Sequence, residues 1–388
     1  MDFDKLAAGK MCNDHRLERR QIGIADDVDD RMGIKMNIST NASFWLDDIE
    51  GTRPASNCPI KGCGSEFIRP NMRGFPCCEK HGLEIHAKTF VYFNGESRDE
   101  QSQARLRNFL PGGARFLSKH IFGNKNKAES HRLGAENSED ALSWNVFGEL
   151  HRLGLVHLAY NYLTGDTVEA GQVRLFLWGL EIDFDSDTAR EWPSLKEVRD
   201  ELEKGINSFR TEPDIMLLGP RKLVIVEAKL TSGNPLCVEA SDVEGMKPTS
   251  RSGLIHRYIA ENKLWEPVLC DKDIGGSKIH SQLLRMIVFA STMAQKNKID
   301  WAVVNLVSRT QWKKVGTRPR KGYDFENPRE FIPTKVGSRF RFLSWEELFN
   351  EMLSRESGAQ EIAEYMQKKT VNLSRAFEFS EDSLLIAG

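Results

Sequence analysis

The stretch KLVIVEAKL at residues 222–230 limits what this chain can become more than any other. It is apolar almost without break until Glu227, and such a run implies a strand covered on both faces, at the centre of a sheet. A carboxylate and an amine there are costly unless they are paired or bind a metal. Side chains two apart on a strand share a face, so Glu227 and Lys229 point one way and Ala228 the other. Asp214 begins the preceding apolar run, PDIMLLG at 213–219, and Gly219-Pro220-Arg221 supplies a tight turn between the two. Hairpin pairing then brings Asp214 beside Glu227. Two acidic side chains converging on one spot suit a hard cation held by oxygens and retained waters. Lys229 can orient or deprotonate a water on that ion, and it adds positive charge where a phosphate gains negative charge. The combination suits hydrolysis of a phosphodiester. A buried ion pair between Glu227 and Lys229, with Asp214 capping a turn, is the alternative; it leaves the position of Asp214 without a reason.

Other periodicities extend this hairpin into a domain. Ser138-Glu139-Asp140 opens an amphipathic segment, ALSWNVFGELHRL, with a serine ahead of an acidic first turn. GQVRLFLWGL at 172–181 alternates and reads as a strand. Residues 277–296 predict an apolar helix, 299–307 a further strand, and Trp345–Leu353 a short helix. The order helix, three strands, helix, strand is an α/β layout with a mixed sheet. Residues 231–276 form a long irregular insertion, of the kind that is usually functional or mobile. The expected organisation is an irregular segment over 1–52, a small metal-binding module over 53–95, a basic linker over 96–136 that carries a helix or two and is broken by Pro111-Gly112-Gly113, the α/β domain over 137–355, and a tail over 356–388.

Pro213-Asp214, twelve residues, then Glu227-Ala228-Lys229 resembles the PD-(D/E)XK signature of the restriction-endonuclease-like nuclease superfamily, over about residues 137–350. The resemblance implies a restriction-endonuclease-like core, a mixed central sheet flanked by helices. It implies Mg²⁺ or Mn²⁺ held by Asp214, Glu227 and the backbone carbonyl of Ala228, with Lys229 catalytic. Glu139 matches an acidic residue that members often carry on the first core helix, with Glu149 as a weaker candidate. A first-turn glutamate favouring the helix dipole is the other reading of Glu139, and the long gap from Glu139 to Asp214 departs from compact members. Gln282 matches a glutamine that some members carry on the second core helix, and Arg285, three residues on, shares its face. The implied activity is that of a Mg²⁺-dependent endodeoxyribonuclease, a hydrolase acting on ester bonds, with a role in restriction or antiviral (phage) defence. DNA is expected as partner ahead of RNA, and a homodimer stays open. The alternative is a catalytically inactive nucleic-acid-binding or adaptor protein with a nuclease-like fold. The joint presence of Asp, Glu and Lys weighs against it, since decay usually removes one.

Seven cysteines exclude a complete set of internal disulfides, and four of them fall within residues 58–78. Cys58 with Cys63, and Cys78 with His81, form two close pairs of soft ligands, as a tetrahedral structural Zn²⁺ requires. Cys77 can replace Cys78 and His86 can replace His81; the commoner two-residue spacer favours Cys78 and His81. The spacing is similar to zinc-ribbon and treble-clef modules. A catalytic zinc here is a third reading, but four protein ligands leave no open position. With a net charge of −2, any nucleic-acid surface must be local. Residues 104–132 and 309–341 are basic. The second stretch interleaves Lys313, Lys314, Arg318, Arg320 and Lys321 with aromatic residues, which suits phosphate contact and base stacking. No apolar run approaches the roughly 18 residues of a membrane span, and the N-terminus lacks the apolar core of a secretory signal. The expected location is the cytoplasm.

Overall fold

The computed structural model describes residues 57–66, 75–78, 80–86, 89–92, 104–122, 131–206, 210–234, 258, 281–311, 332, 334–353 and 356–379. The expectations for residues 1–52 and for most of the insertion at 231–276 lie outside them. Strands β1 (Cys77–Cys78), β2 (Leu83–His86) and β3 (Thr89–Tyr92) form a small antiparallel sheet. Its core is modest: Cys58, Ile60, Cys78, Leu83, Phe90 and Tyr92, joined by Leu373 from far along the chain.

Helix α1 (Pro111–Phe116) continues through a wide turn, Leu117–Ile121. Pro111 occupies the first turn, where a missing N–H costs nothing, so the Pro-Gly-Gly expected as a break starts a helix instead. Phe109, Leu110, Phe116, Leu117, Ile121 and Phe122 are buried in the main core. The described part of the stretch read as a linker is therefore packed protein. Helix α2 begins with Glu139–Ser143 and runs through a wide turn, Trp144–Gly148, to Glu149–Arg152. The Ser138 side chain caps it by accepting from the Ala141 N–H at 3.1 Å. Helix α3 (Val156–Thr164) follows.

The single strand expected over 172–181 is two strands, β4 (Arg174–Leu177) and β5 (Leu180–Asp183). Trp178 and Gly179 turn the chain between them with φ of 54° and 82°. Two successive positive φ values match the twist of a hairpin. The usual signal for that turn is Asn-Gly or Asp-Gly, so a tryptophan at the first position hides it. Strand β6 (Thr188–Glu191) and helix α4 (Pro193–Leu202) complete an insertion that the alternation did not reveal. Then come β7 (Ile215–Leu218), β8 (Lys222–Lys229), helix α5 (Ser281–Asn297), β9 (Asp300–Val307), β10 (Phe340–Ser344) and helix α6 (Trp345–Leu348). Helix α7 (Gln360–Lys368) and the hairpin of β11 (Thr370–Val371) with β12 (Ser374–Arg375) close the described chain.

The main sheet has the order β10-β9-β8-β7-β4-β5-β6. β8 pairs antiparallel with β7 and parallel with β9, and β10 adds a further parallel strand. The sheet is mixed and flanked by helices. Leu223 and Ile225 of β8 pack with α5 in one core. Val224, Val226 and Ala228 enter the other core with α2 and α3, together with Ile362, Tyr365 and Met366 of α7. Residues 356–379, read as tail, therefore belong to that core. Among the described residues no helix is long and apolar enough to cross a membrane.

Candidate active site

The antiparallel register Ile215↔Val226, continued by one residue, sets Asp214 opposite Glu227. Asp214 Oδ2 accepts from the Ala228 N–H at 3.0 Å, which holds the carboxylate against β8. Glu227 and Lys229, only 3% and 4% exposed, share one face, and Lys229 Nζ donates to Glu227 Oε1 at 2.5 Å. Ala228 sends its side chain to the opposite core and does not line the cavity that Asp214, Glu227 and Lys229 face. That cavity measures about 410 Å³. Its charged lining is Glu139, Asp140, Asp214, Glu227 and Lys229, four carboxylates against one ammonium, and Gln282 completes the wall from the first turn of α5.

Glu139 does more than decorate a first turn. Its Oε1 accepts from the N–H groups of Leu230 at 2.8 Å, Thr231 at 3.2 Å and Ser232 at 3.2 Å, and from Ser232 Oγ at 2.8 Å. The carboxylate thus clamps the chain where it leaves β8. Its neighbour Asp140 was missed in the sequence: Oδ1 accepts from Trp178 Nε1 at 2.8 Å, while the Trp178 N–H donates to the Asp214 carbonyl at 3.2 Å. The Trp178 ring stacks on Trp144, with centroids 6.1 Å apart. The hidden turn therefore joins the start of α2 to the backbone of Asp214. No local pattern signals this, because the partners are 38 residues apart.

Arg285 does not join Gln282 at the cavity. Its guanidinium donates to Thr211 Oγ1 at 3.0 and 2.7 Å and lies 3.7 Å from Glu203, whose carboxylate also accepts from Tyr258 at 2.7 Å. Glu149 is distant in role as well, buried and paired with Arg152 at 2.6 Å. Lys313, Lys314, Arg318, Arg320 and Lys321 lie outside the described residues.

Charge explains what the cavity can bind. Burial, and then the negative charge of Glu227, hold the Asp214 carboxyl well above the usual carboxylate range, and Lys229 offsets this only in part. Burial alone would lower the Lys229 amine, yet Glu227, Asp214 and Glu139 together push it up. The ammonium stays charged and is still outnumbered, so the donor set fits a divalent cation.

Cys58, Cys63, Cys78 and His81 come together with their ligand atoms within 4.8 Å of one another. Ligand distances of about 2.3 Å for sulfur and about 2.0 Å for nitrogen place tetrahedral S–S pairs about 3.8 Å apart and S–N pairs about 3.5 Å apart. Cys63 and Cys78 are separated by 3.8 Å, Cys58 and His81 Nδ1 by 3.4 Å, and Cys78 and His81 Nδ1 by 3.7 Å. Gly62, with φ of 72°, allows the Ile60–Cys63 turn to close. Cys77 alternates to the other side of β1, and His86 bonds Glu84 and stacks on Phe75 instead. The cluster is attached just ahead of α2: Val91 bridges Ala135, the Glu136 N–H donates to the Phe90 carbonyl, and Arg107 donates to the His81 carbonyl.

A family model described as Restriction Endonuclease associating with ARP, REase-ARP, matches residues 80–369, roughly three quarters of the chain. The match covers the whole cavity lining and begins inside the Cys/His cluster, after Cys78. No curated protein and no solved structure matches the chain significantly.

Proposed function

Because the chain belongs to the REase-ARP family of restriction endonucleases, we propose that it is a divalent-metal-dependent endonuclease of PD-(D/E)XK type that hydrolyses phosphodiester bonds of DNA, in restriction or phage defence. The observation that carries the proposal is the convergence of Asp214, Glu227 and Lys229 on one cavity with an excess of carboxylates. Asp214 and Glu227 would hold Mg²⁺ or Mn²⁺, with the Ala228 carbonyl as a further ligand. Bound there, the ion would lower the pKa of a water and offset charge on the phosphate. Lys229, kept in place by Glu227, donates to the attacking water or to the phosphate. Glu139 holds the end of β8, and so the separation of Lys229 from the α2 turn. Gln282 orients substrate from α5.

Zn²⁺ at Cys58, Cys63, Cys78 and His81 is structural in this proposal. The basic stretches at 104–132 and 309–341 supply phosphate contacts, and the family's name adds an associated ARP as partner.

The test is cleavage of plasmid and linear DNA in Mg²⁺ or Mn²⁺ by wild type beside Lys229→Ala. The expected result is cleavage by wild type and a loss of at least about 100-fold in the variant. DNA binding without cleavage by wild type would instead favour the adaptor reading.

The raised Asp214 carboxyl adds a pH signature. A group whose folded pKa is raised stabilises fully below its ordinary pKa of about 4, and that stability is lost as pH rises through the folded value. A cation replaces the lost proton. The rise in Tm produced by saturating Mn²⁺ should therefore grow as pH rises above the ordinary carboxylate range. A constant increment would argue that Asp214 is not a ligand.

A further inference from the structure

The row of side chains that carries Glu227 does not stop at β8. In the parallel pairing with β9, Glu227 stands beside Asn305, and Phe342 of β10 stands on its far side. Partners in a ladder show their side chains on the same face. Asn305 therefore lies on the α5 side with Glu227 and Lys229, while Val304 and Leu306 on either side of it enter the opposite core. It is the one amide in an otherwise apolar stretch, Trp301–Val307.

Asn305 has 0% exposure, and neither Nδ2 nor Oδ1 has a hydrogen-bond partner among the described residues. A buried polar group left unpaired costs roughly 1–3 kcal/mol, and an apolar residue of the same shape would avoid that cost. An unpaired buried group calls for a specific explanation such as a missing ion or water. The neighbour of this amide is a carboxylate with one oxygen engaged by Lys229. Carboxylates that ligate metals are themselves held by hydrogen bonds from a surrounding shell, and those partners set their orientation.

We propose that Asn305 is a positioning residue for the cation site: with a divalent ion on Asp214 and Glu227, the Asn305 amide holds the Glu227 carboxylate in the orientation the ion requires. The inference rests on the reading of the cavity as a cation site. Asn305 touches neither substrate nor reacting atoms, and it acts through Glu227 alone.

The test is a MnCl₂ titration of the full chain, followed by thermal unfolding, for wild type, Asn305→Leu and Asn305→Ala. Without metal, the leucine variant should unfold at the wild-type temperature or above it, since it removes an unpaired amide. Its Mn²⁺ midpoint should lie about 10- to 100-fold higher than wild type. Should leucine prevent folding, alanine, which only removes atoms, carries the same comparison. Equal midpoints in wild type and the folded variant would overturn the role of Asn305 while leaving the cation site standing. A wild type that Mn²⁺ does not stabilise would overturn both.

Discussion

Replacing Asp214 by Asn is expected to lower DNA cleavage by at least about 100-fold while raising the Tm of the metal-free protein. The loss is on the scale of removing one group that stabilises transition-state charge. The gain has a separate cause. Asp214 is pressed between burial and the charge of Glu227, which hold its carboxyl above the usual range. An amide at that position removes the like charge, and its oxygen still accepts from the Ala228 N–H as the carboxylate does. Each kcal/mol shifts Tm by about 2–4 °C in a domain of this order of size, so an increase of about 1–3 °C in EDTA is expected. Added Mg²⁺ should stabilise wild type and leave the variant nearly unchanged. Opposite signs for activity and stability mark a site where charge is concentrated for function at the expense of the fold. A variant that loses both would show Asp214 to be a structural cap, and the cation site would then need other ligands.

The second large effect concerns the Cys/His cluster. About one zinc per chain is expected in the purified protein, and stripping it should unfold the segment around β1 to β3. The core there has seven buried residues, two of them proposed zinc ligands. So small a core cannot offset the entropy of ordering its chain without a metal or another cross-link. Apparent zinc affinities in small modules correspond to about 10–16 kcal/mol, which makes metal binding and folding one event. The damage should spread, because β3 is tied to Ala135 and Glu136, three residues before Glu139. The Glu136 carboxylate also accepts from Thr370 Oγ1 at 2.6 Å and from the Leu373 N–H at 3.0 Å. A zinc-selective chelator with Mg²⁺ in excess, or Cys63→Ser, should therefore expose residues 57–92 to protease and reduce cleavage. A stripped protein that keeps its protease resistance would show that the four groups form a core without an ion.

Much of this protein was legible because the decisive patterns are local. Alternation along KLVIVEAKL puts Glu227 and Lys229 on one face, and a short turn then places Asp214 across from Glu227. Strand period and hairpin closure suffice for that, and neither depends on the rest of the chain. The cysteine spacing is local in the same sense, and the fold gathers Cys78 and His81, rather than Cys77 and His86, with Cys58 and Cys63. Tertiary structure decided everything that joins distant segments. Glu139 reaches backbone groups 91 to 93 residues away, and Asp140 meets Trp178 across a turn with no glycine or asparagine at its first position. Gln282 and Arg285 share a helical face in sequence, yet in the fold one side chain lines the cavity and the other meets Thr211 and Glu203. Strand β10 and the return of α7 depend on surfaces that only the assembled sheet presents. The sequence alone determined which groups stand side by side on one hairpin, since that follows from backbone geometry. Which groups face them from across the cavity was left to packing, where burial rather than spacing selects the partner.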